Sequence, residues 1–468
     1  MYKVAILEPS VASECVVTEM MGQIRCASPF LAGACENAGY SCRVFAEELI
    51  EFSPALLDRI SQEFDAVGIS VALNTLPRGL QIARALKRRQ SRLPIAMGGP
   101  SASAFADKLL DAADVVFHGR SEVTFPRWLK TLDDGTPPEN IPGSIVRRSG
   151  TLLRNPQPIP IGEAPTRYDL VEGFGPRTVR EGMFGFPKPA IYSLFASTGC
   201  IRHCRFCKSE KAYHPRPIAA VIADLELLLR LHNHRGQARF MLVDDCLFAD
   251  LDWTKELLRQ IYHACKGHDV SFSTQFHVQP TADEELMRLF KQAHFTSLAL
   301  GFESISQASL NHERKGTTTV QNDFAIEQCR RFSIVPYGYF IVGFDTDNEA
   351  IVRATYDYIV DRKMISQVLP VGIINRYAQG QPTPEAHRIL SDISYGATVF
   401  VSHRPEQMKA SRLQQLINSG YSRISSLRRL SHFQTAYERK FLFGLNRCVA
   451  VWKPLMEAHV RHLQDKGE

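Results

Sequence analysis

Three cysteines within eight residues, Cys200-Ile-Arg-His-Cys204-Arg-Phe-Cys207, constrain this chain more than any other stretch. The apolar run from Ala190 to Ala196 before them reads as a buried strand, closed by a Ser-Thr-Gly turn ahead of Cys200. Thiols this close on one loop can converge on a metal centre. A zinc site would normally want a fourth protein ligand, another CxxC or a well-spaced histidine. No second CxxC follows downstream, and His203, lodged between two thiols, is poorly placed for that role. Three thiolates and one open position are what an iron–sulfur cubane needs if a small molecule is to bind its fourth iron.

Composition narrows the setting. A chain of 468 residues has room for two or three domains. Apolar content of 44% and charged content of 22% are ordinary for a soluble globular enzyme. No uninterrupted apolar run is long enough to span a bilayer. Met1-Tyr-Lys-Val-Ala-Ile-Leu7 begins directly as a strand with no signal-peptide anatomy, so the expected location is cytoplasmic. Eleven cysteines is an odd count, scattered outside the triplet, which in a reducing compartment favours a cluster over a disulfide framework. A net charge of +6 is mild for this length and does not point to nucleic acid.

The first 135 residues alternate strands with helices. Strands are expected at Lys3–Leu7, Ser41–Phe45, Ala66–Ser70, Pro94–Met97 and Val115–Phe117, with helices around Phe30–Ala38 and Pro77–Arg89 and after Glu122. This pattern predicts a doubly wound parallel sheet, whose ligands lie beyond the carboxyl ends of the strands. The strand ends carry small or polar residues: Glu8-Pro9-Ser10, Ser70 to Asn74-Thr75, Gly98-Gly99-Pro100 and Gly119-Arg-Ser121-Glu122. Residues 136–190 read as a linker. In it lie a hairpin over Gly143–Arg154 turning at Ser149-Gly150 and a strap spaced by Pro156, Pro158, Pro160 and Pro165. From 191 to 375, six strand–helix repeats suit a partial (β/α) barrel with its chemistry at the carboxyl-end mouth. Residues 376–468 read as a helical, basic region in which Arg428, Arg429, Arg439 and Lys440 interleave with Leu427, Phe433 and Phe441.

The motif CxxxCxΦC, with Phe206 as its aromatic, resembles the signature loop of the radical S-adenosylmethionine enzymes. That resemblance implies a [4Fe-4S] cluster on Cys200, Cys204 and Cys207. It also implies S-adenosylmethionine on the open iron, cleaved to a 5′-deoxyadenosyl radical with an electron from an external flavodoxin- or ferredoxin-type donor. The amino-terminal layout is similar to the cobalamin-binding domain of one large branch of this family. Cobalamin contacts are then expected at Ser70, Asn74, Thr75, Gly98, Gly99, Pro100, Gly119, Ser121 and Glu122. The Asp-x-His-x-x-Gly motif that supplies a lower histidine in other cobalamin proteins is absent, so the corrinoid is expected without a protein imidazole.

In the barrel the resemblance assigns S-adenosylmethionine contacts to Phe206, Asp244, Asp245, Ser273, Gln275, Glu303, Ser304 and Gly343, and matches Lys315-Gly316 to a Leu-x4-Lys-Gly motif. Plainer roles stand beside these: Asp245 as a helix cap, Glu303 in an ion pair, Lys315 as a surface charge. Gln379-Gly-Gln-Pro-Thr-Pro384 stands where many relatives have a Pro-Gly-Thr turn. The leading expectation is cobalamin-dependent methyl transfer to an unactivated carbon of a small-molecule or lipid-like substrate. The rivals are a radical cyclase or oxidase with the same domains, and a non-catalytic cluster-bearing redox or regulatory protein. The basic carboxyl-terminal helices read either as a cap over the barrel mouth or as a peripheral membrane contact.

Overall fold

The computed structural model describes residues 2–10, 23–119, 121–156, 164–174, 191–207, 209–233, 236–372, 377–378, 381–382, 387–390 and 399–468. Pro158, Pro160, Arg120, most of the Gly- and Phe-rich stretch before Pro189 and most of the turn at 379–384 lie outside them. The chain divides into two compact units. One holds Met1–Leu194, Ala219–Ala238 and Gln379–Gln381; the other holds Phe195–Ile218, Arg239–Ala378 and Pro382–Glu468.

The first unit is built on β1 (Lys3–Glu8), β2 (Gln23–Ile24), α1 (Ala27–Asn37), β3 (Ser41–Ala46), α2 (Pro54–Glu63), β4 (Ala66–Ser70), α3 (Leu76–Arg89), β5 (Ile95–Gly98), α4 (Ala106–Leu109), β6 (Val115–Phe117) and α5 (Ser121–Asp133). Its sheet runs β3-β1-β4-β5-β6 in parallel. Both faces are covered, so the strands read as near-continuous apolar runs, with Val4 to Leu7, Val67, Ile95 and Val115 fully buried. The chain reverses direction across β1, the arrangement that leaves a ligand crevice at the carboxyl ends. Helix α2, missed by the sequence reading, starts at Ser53, whose side chain accepts the Leu56 N–H. The hairpin β7 (Ser144–Arg148) and β8 (Thr151–Arg154) turns where expected and adds two antiparallel strands to this sheet beside β6. Thus the hairpin is sheet rather than linker. Strand β9 (Ile191–Leu194) pairs in parallel with β2. Helix α6 (Ile218–His232) ties into the same unit, Asp224 accepting Thr166 N–H at 3.0 Å and Thr166 Oγ1 at 2.5 Å.

The second unit opens with the two-residue strands β10 (Ser197–Thr198) and β11 (His214–Pro215). It continues as β12 (Ala238–Leu242), α7 (Leu251–Ala264), β13 (Val270–Phe276), α8 (Glu284–Gln292), β14 (Phe295–Glu303), α9 (Gln307–His312), α10 (Thr319–Arg331), β15 (Val335–Val342), α11 (Glu349–Asp361) and β16 (Ile365–Pro370). Strands β12 to β16 lie in chain order, and β13 to β16 pair in parallel. One set of alternating side chains, including Phe272, Phe276, Phe302 and Phe340, packs with Phe290 of α8 and Tyr358 of α11. The other set carries Ser273, Gln275, Gly301 and Glu303.

Two further helices complete the unit, α12 (Ala410–Ile424) and α13 (Ala436–Asp465). Gly420 lets α12 press on α11, since a Cβ there would lie 2.3 Å from the Tyr356 ring. The neighbouring Tyr421 hydroxyl donates to Val368 O at 2.8 Å and accepts Val368 N–H at 3.2 Å, covering the free edge of β16. The buried guanidinium of Arg429 donates to the carbonyls of Ile424, Ile359 and Met364.

Candidate active site

The cysteine loop is pinched at its base by the β10–β11 ribbon, where Ser197 faces Pro215 and Thr198 faces His214. Gly199 has φ +75°, and a Cβ there would sit 1.9 Å from Ala212 O, so the loop folds back only because this position has no side chain. Cys200 N–H then donates to Glu210 O at 2.7 Å. Two buried ionic groups hold the ribbon in place. Arg216 donates its backbone N–H to Ala196 O and its Nη1 to Phe195 O, while its guanidinium lies 4.4 Å from the Phe195 ring. Asp244 accepts Ala196 N–H at 3.0 Å, Ser197 Oγ at 2.6 Å and the Ser197 N–H. Burial pushes its carboxyl up to about 6 even so. Asp244, expected among the S-adenosylmethionine contacts, is buried here, and its Oδ1 accepts all three of these bonds.

Cys200 and Cys204 are buried, Cys207 is half-buried, and all three are free thiols. Cys246, just past β12 and not singled out in the sequence, donates its thiol to Cys200 and is itself pushed far up. That bond, helped by Arg202 N–H at 3.4 Å from Sγ, holds Cys200 down at about 6. Burial raises Cys204. Among the described residues no three His, Cys, Asp or Glu side chains stand close enough together to hold a metal ion. The donor chemistry is nevertheless that of a thiolate-ligated cluster: three thiols on one loop, none in a disulfide, one already held towards thiolate. Ligation requires them to turn towards one another.

The remaining predicted residues divide. Phe206 lies 5.8 Å from Phe344, beside Gly343, with Lys315 Nζ 6.0 Å from its ring. Lys315 in turn pairs with Glu303 Oε1 at 2.8 Å, both side chains nearly buried. The room for this pair comes from Gly301, where a Cβ would meet Glu303 Oε1 at 2.5 Å. Glu303 itself takes φ +62°, a left-handed conformation unusual for a non-glycine residue at a strand end. Gly343, at φ +87°, donates its N–H to Asp347, whose buried carboxylate also accepts Phe344 N–H and Ser309 Oγ. Burial pushes Asp347 up to about 6. The structure therefore gathers Phe206, Glu303, Lys315 and Gly343 into one connected group. Ser304 is buried close by and accepts Ser306 N–H at 3.1 Å. Ser273 bonds the β12 backbone at 3.4 Å, and Gln275 is exposed on the same face of β13. Asp245 is exposed, and its charge acts to raise Cys200. It does not cap α7; Asp250 does, accepting Trp253 N–H at 3.0 Å.

At the first unit's strand ends the turns after β4, β5 and β6 adjoin. Gly98 O accepts Val71 N–H at 2.7 Å, and a Cβ on Gly98 would touch Ser121 Oγ at 3.5 Å. Gly99 has φ +117° and no space for a Cβ, which would lie 2.2 Å from Val71 O. Thr75 is buried and its hydroxyl accepts Ala72 N–H, while Ser70, Asn74, Ser121 and Glu122 are half-buried, Pro100 and Gly119 exposed. Glu8, buried at the end of β1, accepts Arg25 N–H and Ser28 Oγ, and Arg25 reaches on to the carbonyls of Pro9 and Ser70. His118, next to Gly119, has Nε2 on Asn155 O at 2.9 Å, so its ring is tied to the hairpin. A rim of glycine turns and short side chains with its imidazole committed elsewhere fits a corrinoid taken without a histidine ligand.

Comparison with known proteins agrees with both halves of this reading. Residues 27–129 match the B12 binding domain and residues 194–359 the radical SAM superfamily. The chain is similar to an uncharacterized methyltransferase of Pyrococcus horikoshii, 25% identical over 306 residues that take in 63% of each chain. It is also similar to the anaerobic magnesium-protoporphyrin IX monomethyl ester cyclase of Cereibacter sphaeroides, 23% identical over 89% of this chain and 69% of that one. Among solved structures, the radical S-adenosylmethionine methyltransferase TsrM of Kitasatospora setae, with cobalamin and a [4Fe-4S] cluster bound, superposes with a TM-score of 0.62 at 17% identity. That superposition covers 79% of this chain and 72% of that one.

Proposed function

The chain belongs to the cobalamin-binding branch of the radical S-adenosylmethionine superfamily, and on that premise we propose that it is a cobalamin-dependent radical methyltransferase. One observation carries the reading. A loop of three free thiols occurs in the same chain as a doubly wound unit whose strand-end rim is made of glycine turns. When bound, the cluster with S-adenosylmethionine supplies radical chemistry and the corrinoid supplies a transferable methyl group. Cys200, Cys204 and Cys207 would hold the cluster; the turns at Ser70–Thr75, Gly98–Pro100 and Gly119–Glu122 would border the corrinoid. Asp244 and Arg216 fix the loop. The Glu303–Lys315 pair neutralises itself, so Lys315 adds no net charge beside Phe206. Asp347 holds the Gly343 turn, whose backbone would border the nucleoside.

We take residues 1–135, completed by the hairpin at 144–154, as the corrinoid domain, the rest of 136–190 as the connection, 191–375 as the radical domain and 376–468 as the helical region. The electron would come from a flavodoxin- or ferredoxin-type donor. No helix among the described residues is long and apolar enough to cross a membrane. On α13, Phe443, Val451 and Leu455 are exposed beside Lys440, Lys453 and Arg461, which supports contact with an anionic lipid surface and a lipid-like substrate. Flotation with anionic vesicles that survives Phe443→Glu with Leu455→Glu would remove that part of the proposal.

The main test needs no substrate. Anaerobically reconstituted protein carrying iron and corrinoid is reduced and incubated with S-adenosylmethionine, and both nucleoside products are quantified. Methyl transfer predicts S-adenosylhomocysteine stoichiometric with bound corrinoid; 5′-deoxyadenosine with no S-adenosylhomocysteine would favour the cyclase or oxidase reading.

A further inference from the structure

Two buried donors beside the cysteine loop have no acceptor in the protein. His277, one residue past β13, is 4% exposed, and its ring lies 4.8 Å from that of Phe248. Its Nδ1 accepts Gln279 N–H at 3.3 Å. A neutral imidazole nitrogen that accepts carries no hydrogen, so the ring hydrogen is on Nε2. That atom is buried without a partner. Burial, reinforced by the positive charges of Lys315 and Arg202, drives the ring down to about 2 and keeps it neutral.

Arg202, inside the cysteine loop, is the second donor. Its Nη2 donates to Gln279 Oε1, and its guanidinium lies 5.8 Å from the Phe248 ring. Its Nε is also buried without a partner. Phe248 and Gln279 thus hold both side chains, and Gln279 is anchored by donating to Gly316 O at 2.9 Å. A third buried polar atom without a partner, Thr317 Oγ1, follows directly in the chain. An unsatisfied buried donor costs about 1–3 kcal/mol, so a group of them is held at a cost that a bound acceptor would remove.

We infer that His277 Nε2–H and Arg202 Nε–H form a preorganised receptor for a carboxylate at the lip of the cysteine loop. Both groups are donors, and the guanidinium of Arg202 is a cation with no carboxylate partner among the described residues, so the complementary ligand is an oxyanion. Two sources supply one under the functional reading on which this inference rests: the methionyl carboxylate of S-adenosylmethionine, or an acid group on the substrate. His277 and Arg202 are then positioning residues.

The test uses cluster-reconstituted protein, with iron content measured for every variant. Dissociation constants are determined anaerobically for S-adenosylmethionine and for its decarboxylated analogue. If S-adenosylmethionine is the source, His277→Phe weakens its binding by about tenfold and leaves the analogue unchanged, and His277→Gln, which keeps a donor, recovers part of the loss. If the substrate is the source, neither constant moves, but acetate raises the melting temperature of the parent protein and not of His277→Phe or Arg202→Met. If all variants bind both nucleosides like the parent and respond alike to acetate, the receptor is refuted. With S-adenosylhomocysteine still formed, that result leaves the methyltransferase reading standing; loss of S-adenosylhomocysteine from the parent protein fails that reading instead.

Discussion

The carboxyl ends of the strands are furnished differently in the two units. At the first unit's rim, β4 and β5 end in Ser70 and Gly98, and Gly99 and Gly119 lie in the turns after β5 and β6. The buried charges stand at the ends of β1 and β3, where Glu8 pairs with Arg25 and Glu47 with Arg78. At the second unit's mouth, strands end in Asp244, His277, Glu303 and Gly343, and charged or polar side chains are buried against one another. A large ligand can be taken by shape and backbone contact at the first rim. The second must orient small charged groups and a cluster, which calls for fixed donors and carboxylates in a low-dielectric setting. Glycine turns dominate one rim and buried polar side chains the other, so shape and charge are weighted differently in the two units.

Four measurements would break or sharpen that contrast. The largest effect belongs to the thiols: Cys200→Ala, Cys204→Ala or Cys207→Ala should each reduce bound iron and nucleoside cleavage to background, with corrinoid content retained. Loss of corrinoid alongside iron would mean that the two sites do not bind independently.

At the first rim, Gly99→Val should destabilise the protein by about 3 kcal/mol in urea unfolding, because φ +117° and the Val71 carbonyl both oppose a side chain. Corrinoid binding should fall with it. Unchanged stability would show that this turn is looser than its geometry.

The mouth should show its buried charge in a pH profile. Asp244 and Asp347 are both raised from 3.8 to about 6 in the folded state, so between those values the native protein holds protons that the unfolded chain has released. The stability these two groups contribute is therefore lost as pH rises from about 4 to about 6. Each group accounts for roughly 3 kcal/mol. Asp347→Asn should remove about half of that slope; an unaltered profile would rule out Asp347 as one of its sources.

The smallest effect lies away from both rims. Tyr421→Phe removes the hydroxyl that meets the edge of β16 and should cost about 1 kcal/mol with cofactor content unchanged.

The same contrast explains what could be read before folding. Apolar runs such as Val115–Phe117 and the leucine-rich Ile218–His232 identify themselves, since burial on one or both faces dictates their composition. The cysteine triplet and the glycine turns were legible because few residue types can do their work. Cys246, Arg202, Gln279 and His277 were not. Each acts through a partner brought near only by folding, such as Gln279 against Arg202, and no local spacing announces such a pair. Asp244 could be picked out by residue type, but its bonds to Ala196 N–H and Ser197 Oγ across the strand–loop junction could not be read from local spacing. Helix α2 escaped because its buried face is short, Leu57 and Ile60 beside the polar Ser61. The hairpin's sequence gave its turn but not its neighbour.

The β10–β11 ribbon has a consequence for maturation. Its ends are fastened by Asp244 and Arg216 rather than by iron, so the scaffold can stand while the loop is still empty. Small zinc modules commonly collapse without their metal; a loop pinned at its base has no such need. Oxidative loss of the cluster would then leave a molecule fit for reloading instead of one marked for degradation.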